Sequence, residues 1–216
     1  MSAVLEALSE SRWARPAAIA LGALALIGLA WAAWSAWSGR YESRGAIALT
    51  QARILLAQAA QVNAPLESRD QAQKAFEAFI ADYPRHSAVA QAGLQLGNLR
   101  YALGLYPQAR AAFETARGKA KSPSLIQLAQ LGIGYTWEAE KNYDAAEKAY
   151  RTLTSTGKPK DFLYEEALVD IARVQELSSR RPAAFETYQK LLKDLPDSRR
   201  AEEYRVRVAD LQASGK

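Results

Sequence analysis

Cysteine is absent from this chain of 216 residues, and histidine occurs once, as His86. The lack of cysteine excludes a disulfide framework and every metal site built on thiolates, but it fits oxidising and reducing compartments equally well. His86 follows the loop-like segment Tyr83-Pro84-Arg85, and no cysteine accompanies it. We therefore interpret His86 as a structural residue and expect no metal site.

Sequence motifs of catalysis and cofactor binding are also missing. The chain contains no G-x-S-x-G elbow, no P-loop and no G-x-G-x-x-G phosphate loop. The paired acids Glu165-Glu166 and Glu202-Glu203 are typical of solvated helix faces. The sequence thus predicts a protein that is not an enzyme and holds no cofactor.

Concentrated charge of one sign is lacking as well, although the formal net charge is +5. Beyond residue 40 there are 25 Lys and Arg and 21 Asp and Glu, with the two signs interspersed. A protein that tracks phosphates normally concentrates its positive charge on one face. Nucleic acid is therefore not an expected partner.

One long stretch lacks charge altogether, from Pro16 to Trp37. About 20 apolar residues suffice for a helix to cross the hydrocarbon core of a bilayer. Trp31, Trp34 and Trp37 cluster at one end and Trp13 lies at the other, as indole rings prefer the headgroup region. We predict a tail over residues 1–15, a transmembrane helix over 16–38, and contact with the lipid bilayer through residues 16–37.

Two questions about this segment stay open at the level of sequence. A cleaved signal peptide is the alternative to an anchor, with Ala30-Trp31-Ala32 as its small-residue cleavage site. Orientation is nearly balanced, because arginines flank the span on both sides. Two precede it and three follow it: Arg12, Arg15, Arg40, Arg44 and Arg53.

A repeated motif is the most informative feature of the remaining chain. Four times an Ala is followed four residues later by an aromatic residue and three further on by an apolar or small one, a spacing that places all three on one helix face. The leading alanines are separated by 37, 37 and 38 residues. The four motifs are Ala72-Phe76-Phe79, Ala109-Phe113-Ala116, Ala146-Tyr150-Leu153 and Ala184-Tyr188-Leu191.

Turn sequences and prolines divide this part of the chain into paired helices and a charged closing helix. Ser68 with Gln71 and Ser124 with Gln127 match the spacing of a capping box. The predicted pairs are Tyr41–Val62 with Ser68–Asp82, Ser87–Leu103 with Pro107–Lys119, Ser124–Glu140 with Asp144–Thr154, and Asp161–Leu177 with Pro182–Asp194, followed by Ser198–Ala213.

These features resemble the tetratricopeptide repeat over roughly residues 45 to 213. The resemblance rests on the four alanine–aromatic motifs, on the pairs Leu96-Gly97 and Ile133-Gly134, and on the closing prolines Pro84 and Pro196. The Trp of the family signature is missing, and the period is longer than usual. The resemblance implies an all-α domain over 41–216, built as a helical-pair solenoid that binds proteins.

In such solenoids the first helix of each pair lines a concave groove. The resemblance therefore implies a protein-binding groove made of Gln91, Leu94, Asn98, Tyr101, Leu128, Leu131, Tyr135, Glu138, Val169, Arg173 and Glu176. Leu94, Leu131 and Val169 are equally well explained as packing between helices. Some family members clamp a terminal carboxylate with Lys and Asn, but here only Asn98 corresponds, which favours apolar or mixed partner surfaces.

The order of tail, Trp-flanked span and small repeat domain is similar to that of the bacterial YfgM family, ancillary subunits of the Sec translocon. This resemblance implies a single-pass protein of the inner membrane with a cytoplasmic tail over residues 1–15. Its periplasmic domain would contact translocon subunits, periplasmic chaperones or client polypeptides. The alternative is an envelope-assembly scaffold, because the segment from Tyr83 to Ser87 also resembles YbgF-type proteins of the Tol-Pal system and BamD-type lipoproteins.

Overall fold

The computed structural model describes residues 14–61, 64–155, 157–159 and 161–213. These residues form nine α-helices and no strand, which confirms the all-α prediction. The helices are α1 (Ala14–Ala59), α2 (Leu66–Asp82), α3 (Val89–Ala102), α4 (Tyr106–Lys119), α5 (Pro123–Ala139), α6 (Tyr143–Ser155), α7 (Tyr164–Leu177), α8 (Arg181–Asp194) and α9 (Ala201–Ala213).

The described chain divides between Ile47 and Ala48 into two compact units. In the first unit, α1 presents apolar side chains to the outside, from Ile19, which is 73% exposed, to Trp37, which is 55% exposed. Among the described helices, α1 is the one that is long and apolar enough to cross a membrane. The helix break expected after residue 38 is absent, since a single glycine, Gly39, costs a helix only about 1 kcal/mol.

In the second unit, each helix from α2 onward packs against the next helix along the chain, and α3 also contacts α5. Short connections between packed neighbours make successive helices antiparallel. Every residue of the four repeated motifs is buried, which agrees with their predicted position on one helix face. The described chain is thus repeat-like in its helix order and in the spacing of its core.

Several helix starts differ from the prediction, and the two expected capping boxes are wrong. Helix α2 begins at Leu66 after Pro65, and α5 begins at Pro123 after Ser122; neither N-cap makes a side-chain hydrogen bond. A proline fixes φ near the helical value and has no N–H to satisfy, so it starts a helix without a capping side chain.

His86 lies in the turn before α3 and has a structural role. Its Nδ1 accepts a hydrogen bond from the Ala88 N–H at 3.0 Å, and its ring meets the ring of Phe79 edge-on at 5.2 Å. The side chain is 8% exposed. These contacts stabilise the turn before α3. As a result, α3 begins at Val89 and not at the predicted Ser87.

Small residues in the first helices make room for the aromatic rings of the second helices. A Cβ added to Gly134 would lie 2.1 Å from the Tyr150 ring, and one added to Gly97 would lie 2.5 Å from the Phe113 ring. By contrast, a Cβ added to Gly118, in α4, would meet nothing within 4 Å. Gly134 and Gly118 are therefore suitable for a matched comparison of substitutions, because both are helical and only Gly134 lies against another side chain.

We expect Gly134→Ala to lower the free energy of unfolding by about 1–3 kcal/mol, because the new methyl group displaces the Tyr150 ring. Gly118→Ala should raise it by about 0.5–1 kcal/mol, because alanine favours the helix and meets no neighbour. Urea unfolding followed by circular dichroism measures both. Equal stabilisation by the two changes would contradict the close helix contact at Gly134.

Candidate binding cleft

One face of α7 forms the floor of a cleft of about 670 Å³, which we call the main cleft. The lining residues of α7 recur at intervals of three or four, so that their side chains leave the helix on the same side. Some of them are charged and others are apolar: Glu166, Val169, Asp170, Arg173, Glu176 and Leu177.

The walls of the main cleft come from other helices. Tyr101 on α3 and Tyr135 on α5 lie on one side, with ring centroids 6.5 Å apart. Tyr188 of α8 contributes its hydroxyl end, which donates a hydrogen bond to Glu176 Oε1 at 2.7 Å. The closing helix completes the lining with Glu203 and Arg207, and Arg200 lies just before it.

The predicted groove residues fall into three groups. Tyr101, Tyr135, Arg173 and Glu176, with Val169, line the main cleft. A second set lines a smaller hollow of about 160 Å³, which adjoins the main cleft because Tyr101 and Tyr135 belong to both. This second set is Leu94, Asn98, Leu128 and Leu131. Eight of the ten predicted groove residues, Val169 not counted, therefore lie in two adjoining depressions.

Gln91 and Glu138 line neither depression. Gln91 Oε1 accepts a hydrogen bond from Arg53 Nη2 at 3.5 Å. Glu138 supports Arg173 from the side, with its Oε1 2.8 Å from Arg173 Nη1. Glu138 Oε2 also accepts a hydrogen bond from the hydroxyl of the buried Tyr150 at 2.8 Å. Leu131, at 7% exposure, belongs mainly to the core, as the packing interpretation predicts.

Asp170 is the most unusual group of the main cleft, because a carboxylate is held at 2% exposure. Its Oδ1 accepts a hydrogen bond from Arg173, whereas its Oδ2 has no hydrogen-bond partner within the described residues. Burial raises the pKa of Asp170 to about 6; Arg173 opposes this shift, and the carboxylates of Glu166 and Glu138 add to it.

The tyrosine hydroxyls of the cleft are held in their neutral form. Burial, followed by the charges of Asp170 and Glu166, raises the pKa of Tyr135. Burial and the hydrogen bond to Glu176 raise the pKa of Tyr188. Neutral phenols are donors to carboxylates and present apolar rings, so they favour binding over proton transfer near neutral pH.

Arg200 connects two helices at the rim of the main cleft. Its guanidinium lies 3.4 Å from Glu166 Oε2, on α7, and 3.2 Å from Glu203 Oε2, on α9. This arrangement ties the closing helix to the cleft floor. Because its side chain is 39% exposed, we assign Arg200 a positioning role at the rim with a small contribution to stability.

Sequence reasoning missed Asp170 and the contribution of the closing helix. A signal for Asp170 was present, since one acid interrupts the apolar run Leu168-Val169-Asp170-Ile171-Ala172. An acid inside such a run is either buried or functional. No comparable local signal exists for Glu203 and Arg207, because packing between helices that are distant in sequence brings them to the cleft.

No protein-family model matches this chain, and no curated protein is significantly similar to it. Within the described ranges no three His, Asp or Glu side chains are grouped as a bound metal ion would need. The residues of the main cleft themselves indicate what it can bind. They offer aromatic rings, paired guanidinium groups and one buried carboxylate with a spare acceptor.

Proposed function

We propose that this chain is a membrane-anchored scaffold that binds other proteins, and that the main cleft with its adjoining hollow is the binding surface. The single observation that carries the proposal is that α3, α5 and α7, the first helices of three successive pairs, bring their predicted groove residues into these two depressions. Tyr and Arg, which dominate the energetics of many interfaces, are the prominent side chains there.

Binding is favoured over catalysis by the state of the ionisable groups. Arg173 is engaged by Glu138 and Asp170, and the Tyr188 hydroxyl donates a hydrogen bond to Glu176. A general base or a nucleophile would need a partner that activates it and space for a reacting atom. The cleft instead resembles an interface centre with apolar rings and a charged rim.

Anchoring is supported by the uncharged segment 16–37 inside α1, whose apolar side chains are exposed in the described chain. Such a helix is stable in a bilayer, where lipid covers the exposed apolar surface. Together with the resemblance to the YfgM family, this supports placement in a bacterial inner membrane with the repeat domain in the periplasm. Translocon subunits, periplasmic chaperones and client polypeptides are the proposed partners.

Tyr101→Ala should weaken partner binding by at least about 1 kcal/mol, or more than fivefold, while the fold is retained. Tyr101 is the best probe because its side chain is 38% exposed in the cleft wall. Tyr135→Ala should act in the same direction. Arg173→Ala is a harder test, since it leaves the buried Asp170 without its ion pair.

The matched controls are Lys148→Ala and Glu186→Ala, two exposed positions on second helices outside both depressions. Detergent-solubilised membranes supply the native partner, and quantitative pull-down with circular dichroism of each variant gives the measurement. Equal partner retention by Tyr101→Ala and by the controls would place the binding surface elsewhere. The subunits recovered also separate the translocon proposal from the alternative of an envelope-assembly scaffold.

A topology experiment tests the anchor independently of binding. Protease added to intact spheroplasts should digest the chain beyond about residue 45, because we place that part in the periplasm. A cytoplasmic protein serves as the protection control, and a periplasmic domain of known topology serves as the digestion control. Protection of the C-terminal part until the membrane is permeabilised would reverse the proposed orientation.

A further inference from the structure

Asp170 presents an unsatisfied hydrogen-bond acceptor at the main cleft. Buried side-chain oxygens nearly always have a partner, and an exception calls for a physical reason. Here Oδ1 is bonded to Arg173, and Oδ2 has no hydrogen-bond partner in the described chain, although the Tyr135 phenol lies close enough to interact with the carboxylate. The charge of Asp170 is therefore incompletely compensated, and a cation bound in the adjacent cleft would offset it.

The other charges of the main cleft also indicate the sign of the group that it would bind. Its charged lining comprises four acids and three arginines: Glu166, Asp170, Glu176 and Glu203, against Arg173, Arg200 and Arg207. Glu138, which pairs with Arg173, adds a fifth carboxylate. Two of the arginines are already engaged, Arg173 by Glu138 and Asp170, and Arg200 by Glu166 and Glu203. The excess of carboxylates favours a cation.

The tyrosine pair fits the same conclusion. Tyr101 and Tyr135 present tilted rings at the cleft wall, with their centroids 6.5 Å apart. Aromatic faces attract an ammonium or guanidinium group and also pack against its aliphatic stem. A metal ion is disfavoured, since no three suitable ligands are grouped in the described ranges.

We propose that the main cleft binds a lysine or arginine side chain of a partner polypeptide, whose charged head is attracted by the cleft carboxylates, Asp170 among them, and packs beside the rings of Tyr101 and Tyr135. This inference rests on the proposed protein-binding function. The adjoining hollow lined by Leu94, Leu128 and Leu131 takes an apolar side chain of the same segment, because it shares both tyrosines with the main cleft. The recognised sequence is therefore a basic residue close to an apolar one.

The test uses the full chain in detergent micelles and fluorescent peptides made of leucine, alanine and serine. The peptides are acetylated and amidated, so that they carry no terminal charge, and differ at one central position: lysine, arginine, norleucine or glutamate. Fluorescence anisotropy gives each Kd. Lysine and arginine peptides should bind at least about tenfold more tightly than the norleucine peptide, and the glutamate peptide should bind most weakly.

Asp170→Asn should reduce the ratio of lysine to norleucine affinity at least about fivefold, because the amide removes the charge and one acceptor. The matched control is Glu114→Gln on α4, an exposed acid outside both depressions, which should keep the full ratio. Tyr101→Leu is the second variant should Asp170→Asn fail to fold. It keeps apolar bulk and removes the ring, so the ratio should again fall.

Failure of this inference and failure of the proposed function give different results. Peptides that bind in a Tyr101-dependent way without preference for lysine or arginine would overturn the inference and leave the binding surface in place. A preference that survives both Asp170→Asn and Tyr101→Leu would overturn it as well. If no peptide binds while Tyr101→Ala still loses the native partner, the basic-segment inference is wrong. If Tyr101→Ala loses neither peptide nor partner, the binding surface itself is misplaced.

Discussion

Replacing Phe113 by alanine should lower the free energy of unfolding by about 3–5 kcal/mol. The ring is 2% exposed, on α4, and it lies directly against two glycines of neighbouring helices. A Cβ on Gly97 or on Gly132 would lie 2.5 or 2.7 Å from ring atoms. Glycines have no side chains that could move into the space, so the alanine variant keeps most of the cavity.

Phe162→Ala provides a matched control for the loss of Phe113. Phe162 is 58% exposed between α6 and α7, so removing its ring should change stability by no more than about 0.5 kcal/mol. Urea unfolding of the full chain in mild detergent, monitored by circular dichroism, compares the two. A loss below about 1 kcal/mol for Phe113→Ala would mean that this ring does not join successive helix pairs.

The core was predictable because its information is local and repeated. Ala109, Phe113 and Ala116 lie on one helix face by spacing alone, and the same spacing recurs at intervals of 37 or 38 residues. A pattern that is weak in one segment becomes significant when it recurs at a fixed interval. Every motif residue is buried in the structure. Helix starts were less predictable, since the N-caps are Pro65 and Ser122, three and two residues before the expected serine caps Ser68 and Ser124.

The candidate site was predictable in part. Tyr101, Tyr135 and Arg173 were placed on the first helices by register, and all three line the main cleft. The closing helix was predicted from the sequence only as a charged helix at the end of the repeat. It packs Tyr204 against α8, with the Tyr204 hydroxyl donating to Glu165 Oε1 at 2.6 Å, and this docking carries Glu203 and Arg207 into the cleft. Contacts between distant helices of this kind leave no local pattern.

Asp170 and Glu147 show how two buried acids on adjacent helices can have opposite effects on stability. Glu147 is 6% exposed; burial raises its pKa, but hydrogen bonds from Arg151 and Gln175 and the charge of Arg180 outweigh burial and lower it. Asp170 has one hydrogen-bonded cation and two nearby carboxylates, so burial prevails and its pKa rises to about 6. A buried carboxylate that weakens the fold is expected where its charge serves binding.

Asp170→Asn should therefore stabilise the fold at neutral pH, by on the order of 1–3 kcal/mol. The folded-state pKa of about 6 exceeds the ordinary value of 3.8. Between these values the folded state binds more protons, so the contribution of Asp170 to stability is fully present below pH 3.8 and is lost as the pH rises through about 6. The asparagine variant should therefore have a higher free energy of unfolding than the parent chain above about pH 6. This difference should decrease as the pH falls and disappear below about pH 3.8.

Glu147→Gln is the control with the opposite sign. The folded-state pKa of Glu147 is lowered, so its contribution is present above 4.5 and is lost as the pH falls through the lowered folded-state value. Glu147→Gln should consequently destabilise the chain at neutral pH and lose this effect in acid. Urea unfolding of both variants and the parent chain across the acidic to neutral range provides the comparison. If Asp170→Asn is the less stable chain at neutral pH, the ion pair with Arg173 outweighs burial, and Asp170 contributes to the fold instead of weakening it.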